Sequence, residues 1–204
     1  MYFVEGNIGS GKSTFLKKLS SQFKVVQEPV EEWSNMRNAN GKNVLEEFYE
    51  DPKRNAYLFQ SIAFRSRIKN ITDLNADNVI IERSIYTDRI VFAEVCREDG
   101  NINDIEWDDY TAWFDFIVKH IRFKPKGFIY LRTDPEKSHE RINKRNRSGE
   151  SIISLDYLKK LHGRHDKWLM EEDNVLVLDV TEDFESNPEH LDKMIQKVRD
   201  FVES

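Results

Sequence analysis

The sequence predicts an α/β fold: one five-stranded parallel sheet flanked by helices on both faces, with a phosphate-binding loop and a lid segment. Three observations carry this expectation. Short apolar runs with few polar breaks alternate with longer helical patterns, as expected of strands buried on both faces. The first run leads straight into GNIGSGKS at residues 6–13. Acidic residues close later runs, at the strand ends where open parallel sheets bind ligands.

In chain order, strands are expected at 2–5, 24–27, 78–82, 127–132 and 174–179. The third is built on Val79-Ile80-Ile81, the fourth on Phe128-Ile129-Tyr130-Leu131 and the fifth on Val175-Leu176-Val177-Leu178. Helical patterns fill 12–21, 52–74, 84–97, 107–122, 135–145, 155–171 and 188–202. Residues 35–43, rich in Asn, and 99–104 (DGNIND) read as turns. No internal repeat, low-complexity tract or Pro/Gly/Ser-rich linker interrupts the alternation.

A length of 204 residues fits a single domain spanning 1–204, with the lid at about 141–152. Hydrophobic residues make up 39% of the chain, and 13 Phe with 4 Trp supply a core, which excludes disorder. A net charge of −6 argues against a sequence-independent grip on a nucleic acid polymer. The single cysteine, Cys96, excludes an internal disulfide framework and suits a reducing compartment. The apolar runs are strand-sized, well short of the ~20 residues of a spanning helix, so no membrane is expected. The loop follows too closely on Met1 to leave room for a signal or transit peptide.

Residues 6–13 match G-x-x-x-x-G-K-[ST], with Gly6, Gly11, Lys12 and Ser13 at the fixed positions. The glycines let backbone N–H groups turn toward a polyphosphate, and the following helix aims its N-terminus at the same anion. Asn7, Ile8, Gly9 and Ser10 complete the cradle, and Thr14 is expected to bind phosphate with them. Lys12 can reach the β/γ oxygens, and Ser13 can ligate Mg²⁺. The context of strand, loop and helix points to a nucleoside triphosphate with Mg²⁺. A regulatory GTPase is excluded: no glycine has an Asp three residues before it, and Asn143-Lys144-Arg145-Asn146 lacks the acid of a guanine motif. An acceptor kinase is the leading reading.

Glu28 follows the second strand, where a carboxylate could take a proton from an attacking hydroxyl; an exposed loop acid is the alternative, and Glu31 and Glu32 are read as such. Glu82-Arg83-Ser84 closes the third strand. Glu82 stands where a Mg²⁺-organising acid belongs, Arg83 where it would face transferring oxygens, and Ser84 can also cap the next helix. Arg141, Lys144, Arg145 and Arg147 precede Ser148-Gly149-Glu150. Cations at a helix C-terminus favour the dipole, but so many in an acidic chain are read as a lid that closes on phosphates. Gln60, Ala63 and Arg67 share one helix face, as do Asp88 and Phe92 on the next. They can pair with and stack on a base, or form an interhelix salt bridge beside a packed Phe; the residues alone leave both open.

The ordered set EGNIGSGKS, QEPVEEW, FYEDP with FQ behind it, ERSIYTDR, KRNRSGES and LDVTEDF, running from residue 5 to about 184, resembles the deoxycytidine/deoxyguanosine kinase family of deoxynucleoside kinases. The resemblance implies a P-loop kinase fold and transfer of the γ-phosphoryl of ATP to a deoxynucleoside 5′-hydroxyl. It implies Glu28 as general base, Arg83 holding Glu28 and the 5′ end, and Glu82 with Ser13 organising Mg²⁺. Tyr49 and Glu150 would bind the 3′-hydroxyl, and Gln60 the base edge, with Phe92 stacking and Trp33 and Phe59 as walls. Ile8, Leu45 and Phe48 would complete the apolar lining. Arg141 would lie against the donor base, Arg145 and Arg147 on the phosphates, and Glu182, Asp183 and Phe184 would meet the donor base through their backbone.

Ala63, Arg67 and Asp88 together resemble the deoxycytidine- and purine-accepting members, so deoxyadenosine, deoxyguanosine or deoxycytidine is expected over thymidine. The chain departs from relatives at Asn55, where they carry Trp, and at Phe48, where some carry Met; this leaves the order among the three bases open. Family likeness also implies a homodimer, and the lack of the N-terminal extension of the animal enzymes favours the cytosol. Two rivals remain: a nucleoside monophosphate (thymidylate-type) kinase, whose acceptor phosphate Glu28 would repel, and a non-catalytic nucleotide-binding protein.

Overall fold

Strand β1 (Tyr2–Glu5) is the axis of the sheet. It pairs in parallel with β3 (Ile80–Glu82) on one side and with β4 (Gly127–Arg132) on the other. The short β2 (Val25–Val26) extends the β3 side and β5 (Val175–Asp179) the β4 side, giving the order β2-β3-β1-β4-β5. A computed structural model of the chain describes residues 1–72, 74, 78–120, 124–147 and 149–203. Because every pairing is parallel, all five strands deliver their carboxyl ends to one edge of the sheet.

Alternation along β1 divides the core in two. Tyr2 and Val4 pack with Phe15 and Leu16 of α1 (Lys12–Leu19) and with Met194 and Val198 of α10 (Pro188–Glu203). Phe3 faces the other way, toward Ile71 of α4 (Pro52–Thr72), Tyr110 of α7 (Asp104–His120) and Leu169 of α9 (Leu155–Leu169). Helix α8 (Pro135–Arg145) follows β4, and a single 3₁₀ turn (Glu150–Ile152) leads into α9.

The expected strands are all present, shortened at one or both ends except for β1 and β4. The helix expected at 84–97 differs: it breaks into α5 (Ile85–Thr87), a π-helical segment (Asp88–Ala93) and α6 (Glu94–Glu98). Such segments concentrate at functional sites, and this one carries both Asp88 and Phe92. Helix α7 starts at Asp104 rather than at 107, because Asn103 and Glu106 exchange side chain–backbone hydrogen bonds that satisfy its first amides. Its expected end at Arg122 and the lid residue Ser148 lie outside the described residues.

Two helices stand where none was expected. Helix α2 (Val30–Asn35) holds Glu31 and Glu32 in its first turn, which corrects their reading as loop acids. Helix α3 (Val44–Glu50) is opened by a capping box between Asn43 and Glu46. Residues 36–43 between them form the expected turn, closed by an Arg37–Asn43 bridge. These two short helices wall the site and are fixed to α4. The buried Trp33 indole donates to Ser66 Oγ at 3.0 Å, and Ser66 donates to the Ala63 carbonyl at 2.9 Å. Ser66→Ala leaves the indole N–H buried without an acceptor. It should cost about 1–3 kcal/mol, read as a lower urea midpoint; an unchanged midpoint would show that Trp33 is held otherwise.

Candidate active site

The carboxyl edge of the sheet carries the site. After β1 the chain turns through Gly6, Gly9 and Gly11, all with positive φ. A Cβ on Gly9 would lie 2.6 Å from the Ser138 carbonyl, so the loop packs against α8 as only glycine permits. Lys12 folds back over the loop, its Nζ 2.7 Å from the Asn7 carbonyl and 3.2 Å from that of Gly6. Burial, reinforced by the Arg83 charge, lowers the Lys12 ammonium to about 7. An arriving polyphosphate would supply the missing negative charge. Asn7 ties the loop to α9 through the Leu158 carbonyl at 2.9 Å.

Ser13 donates to the Glu82 carboxylate, 3.0 Å from either oxygen. A hydroxyl and a carboxylate are the hard oxygen donors that Mg²⁺ takes beside nucleotide phosphates. Among the described residues no cluster of three or more His, Cys, Asp or Glu forms a metal cage. The pair therefore fits an ion that draws its other ligands from phosphate and water.

Glu28, beyond β2, lies between two guanidinium groups: Arg67 Nη2 at 3.0 Å and Arg83 Nε at 3.3 Å, both on Oε1. Burial pushes its carboxyl up, but Arg83, Arg67 and Lys12 outweigh burial and hold it below the usual range. The carboxylate is thus ionised, with Oε2 left for a hydroxyl. Arg83 also donates to the Gly6 carbonyl at 2.9 Å, and its guanidinium carbon lies 4.7 Å from the centroid of the Phe92 ring. Both readings of Arg67 and Asp88 are realised. They form a bidentate pair between α4 and the π-helical segment, at 2.8 and 3.0 Å, and both also line the cavity. Burial raises the Asp88 carboxyl while Arg67 opposes it. Arg67 in turn stays charged because Asp88 and Glu28 overcome burial.

One cavity of about 860 Å³, measured out to its open mouth, runs from Gly9, Gly11, Lys12 and Ser13 past Glu28 and Arg83 to Gln60. Its far end is apolar. Phe48 stacks on Phe59 with centroids 4.9 Å apart, and Trp33 meets Phe59 edge-on at 5.5 Å. Ile8, Leu45, Tyr49, Ala63 and Phe92 are also in the lining. Gln60 is buried, with Nε2 3.8 Å from Cys96 Sγ. From the lid side, Arg145 and Arg147 reach the cavity, and both are bonded to Glu150, at 2.5 and 3.2 Å.

Arg141 stands apart from this cavity and donates to the carbonyls of Thr181 and Glu182. The segment 182–184 packs beside the phosphate loop. Phe184 itself is buried edge-on against Phe15, while Glu182 and Asp183 are exposed. Asn55 is buried and donates to the Glu47 and Asp51 carbonyls, joining α3 to α4.

Sequence reading missed Tyr157 and Val30, which line the cavity, and the Arg67–Glu28 bond. No pattern announces Tyr157, since its place depends on the lid that precedes it. It also missed Glu5, buried at the end of β1 with Oε1 accepting the Ser84 amide. This acid was in plain view next to the glycine loop.

Comparison with known proteins identifies the family. The deoxynucleoside kinase family model matches residues 2–203. The probable deoxycytidine kinase of fowlpox virus (strain NVSL) is 36% identical over 209 residues, covering 98% of this chain and 86% of that protein. The mitochondrial deoxyguanosine kinase of Xenopus laevis is 36% identical over 233 residues, covering 98% and 88%. The deoxycytidine kinase of Bos taurus is 37% identical over 235 residues, covering 98% and 89%. With its phosphate loop, parallel sheet and near-complete alignment to these kinases, the chain is a phosphotransferase and belongs to the deoxynucleoside kinase family.

Proposed function

We propose that the protein transfers the γ-phosphoryl of ATP to the 5′-hydroxyl of deoxyadenosine, deoxyguanosine or deoxycytidine, and that thymidine is a poor acceptor. The observation that carries this reading is one continuous cavity with the phosphate loop at one end, Gln60 and the Arg67–Asp88 pair toward the other, and Glu28 between them. The printed names of the relatives, deoxycytidine and deoxyguanosine kinases, favour the same acceptors.

In this reading Glu28 takes the 5′-hydroxyl proton on Oε2 as the oxygen attacks. A carboxylate held below its usual range is a weak base. It suits a loose phosphoryl transfer, in which the hydroxyl gains acidity only as the new bond forms. Arg83 bridges Glu28 and the phosphate loop, so it steadies the 5′ end and faces the transferring oxygens. Ser13 and Glu82 would hold Mg²⁺, which supplies charge neutralisation on the phosphates. Glu150 and Tyr49 receive the 3′-hydroxyl, while Arg145 and Arg147 attend the phosphates and Arg141 with 182–184 the donor base. A monophosphate acceptor would set its dianion against the ionised Glu28, which disfavours the thymidylate-type alternative.

The whole chain acts as one domain, with the lid at about 141–152. Half-exposed Leu58 on α4 and Trp113 and Phe116 on α7 suit a homodimer through these helices. Among the described residues no helix is long and apolar enough to cross a membrane. Cys96 is a buried free thiol, its pKa pushed up to about 12 by burial, in keeping with a reducing compartment such as the cytosol.

An acceptor panel tests the function. Purified protein with Mg²⁺-ATP should turn over dA, dG or dC and leave dT and dTMP nearly untouched; turnover of dTMP alone would move it to the monophosphate kinases. Glu28→Ala should lower kcat by about 10²–10⁴-fold while the far-ultraviolet circular dichroism stays at parent values. Near-parent turnover would remove Glu28 from its role. Arg67→Met with Asp88→Ala should open the enzyme to thymidine. It should also slow dC, since Glu28 loses one of its two guanidinium partners. No gain of dT activity relative to dC would overturn the pocket assignment.

A further inference from the structure

Glu5 has no part in the mechanism above, yet it is fully buried at the carboxyl end of β1. Burying a carboxyl is costly unless its oxygens are hydrogen-bonded or paired. Its Oε1 accepts the Ser84 amide at 2.8 Å, and Oε2 has no hydrogen-bond partner among the described residues. The preceding amide, of Arg83, donates to the Val4 carbonyl at 3.0 Å. Two successive amides at the end of β3 are thus fixed by two successive residues of β1.

The residue between these anchors is strained. Arg83 has φ 61°, a left-handed conformation that residues with a Cβ seldom adopt. In a continuing strand Glu82 and Arg83 would point to opposite faces. The left-handed turn takes Arg83 out of that alternation. Its guanidinium then reaches the Gly6 carbonyl, Glu28 and the Phe92 ring, while Glu82 meets Ser13. Such strain persists only where its surroundings over-determine it.

We propose that Glu5 is a positioning residue for phosphoryl transfer: by accepting the Ser84 amide it holds Arg83 in its left-handed turn, and so keeps the guanidinium between the phosphate loop and Glu28. This rests on the role given to Arg83 above. Burial pushes the Glu5 carboxyl upward, opposed by the nearby Thr87 and Ser84 and by the Arg83 charge. Protonated or not, it presents an acceptor oxygen, so the oxygen matters rather than the charge.

Four proteins test this: Glu5→Gln, Glu5→Met, Arg83→Ala and the Glu5→Met/Arg83→Ala double variant. Each is assayed for kcat and acceptor KM with saturating Mg²⁺-ATP and for its urea midpoint. Gln retains an acceptor and should stay within about threefold of parent kcat. Met has similar volume and no acceptor, and should lose roughly tenfold or more in kcat. In the Arg83→Ala background the same Met substitution should have almost no further effect, because residues acting as a unit are not additive. If Glu5→Met keeps parent kcat, or loses the same factor with and without the Arg83 side chain, Glu5 is merely structural and the proposal is wrong. Where Glu5→Met does not fold, a folded Glu5→Gln with a tenfold or greater loss overturns it equally. Parent turnover in Arg83→Ala would instead remove the reading of Arg83, and the proposal with it.

Discussion

The structure depends on how its buried charges are matched at the carboxyl edge of the sheet. Glu5, Lys12, Arg67, Glu82, Arg83 and Asp88 are buried, and the Glu28 side chain is only 16% exposed. Alone, each would face a desolvation cost of several kcal/mol. Arg67, Glu28, Arg83 and Asp88 offset one another through direct ion pairs, and Arg67 is the hub. Its Nε and Nη2 hold Asp88, Nη1 donates to the Glu82 carbonyl, and Nη2 also reaches Glu28. These partners lie on β3, the π-helical segment and the loop after β2. Removing one member of such a network strands the others, at about 3–5 kcal/mol for a buried pair. Fold and site therefore rest on the same bonds, and a structural reading of Arg67 does not compete with a functional one.

The matching also bears on how a polyphosphate could be received. Lys12, Arg67 and Arg83 already face Glu5, Glu28, Glu82 and Asp88, so the buried set has no positive charge to spare. Further cations have to come from outside it. Lys12, lowered to about 7 by burial and by Arg83, gains charge when an anion arrives. Arg145 and Arg147 are only partly exposed and share the Glu150 carboxylate. In the proposed complex a sugar hydroxyl and the phosphates would divide what is now one ion triad. Filling of the acceptor site and charging of the phosphate site would then be linked through Glu150.

Much of this was legible in the sequence because the informative residues sit at element ends. The glycine loop, Glu28 after β2 and Glu82-Arg83-Ser84 after β3 are placed by strand polarity alone, and parallel pairing brings them to one edge. Helices α2 and α3 were not legible, since six or seven residues hardly fill two turns and show no reliable period. The capping box at Asn43 was the one local signal, inside a segment dominated by turn residues. The π-helical break after Thr87 has no composition of its own and arises where Asp88 must meet Arg67. Contacts such as Arg67 with Glu28, or Gln60 with Cys96, exist only once α4 is laid across the sheet edge.

That helix also sets the length of the acceptor. Helix α4 runs unbroken from Pro52 to Thr72, with Gln60 and Arg67 both lining the cavity. Seven residues at about 1.5 Å per residue separate them by roughly 10 Å along the axis. Arg67 is bonded to Glu28, so the group that would take the proton stands at a fixed remove from the amide that would meet the base. That remove suits a base and a sugar. An acceptor with a phosphate of its own would have to bring that phosphate onto Glu28, against a carboxylate that Arg83, Arg67 and Lys12 keep ionised despite burial. In the proposed complex length and charge would select the same acceptor, the length through helix α4 and the charge through Arg83, Arg67 and Lys12.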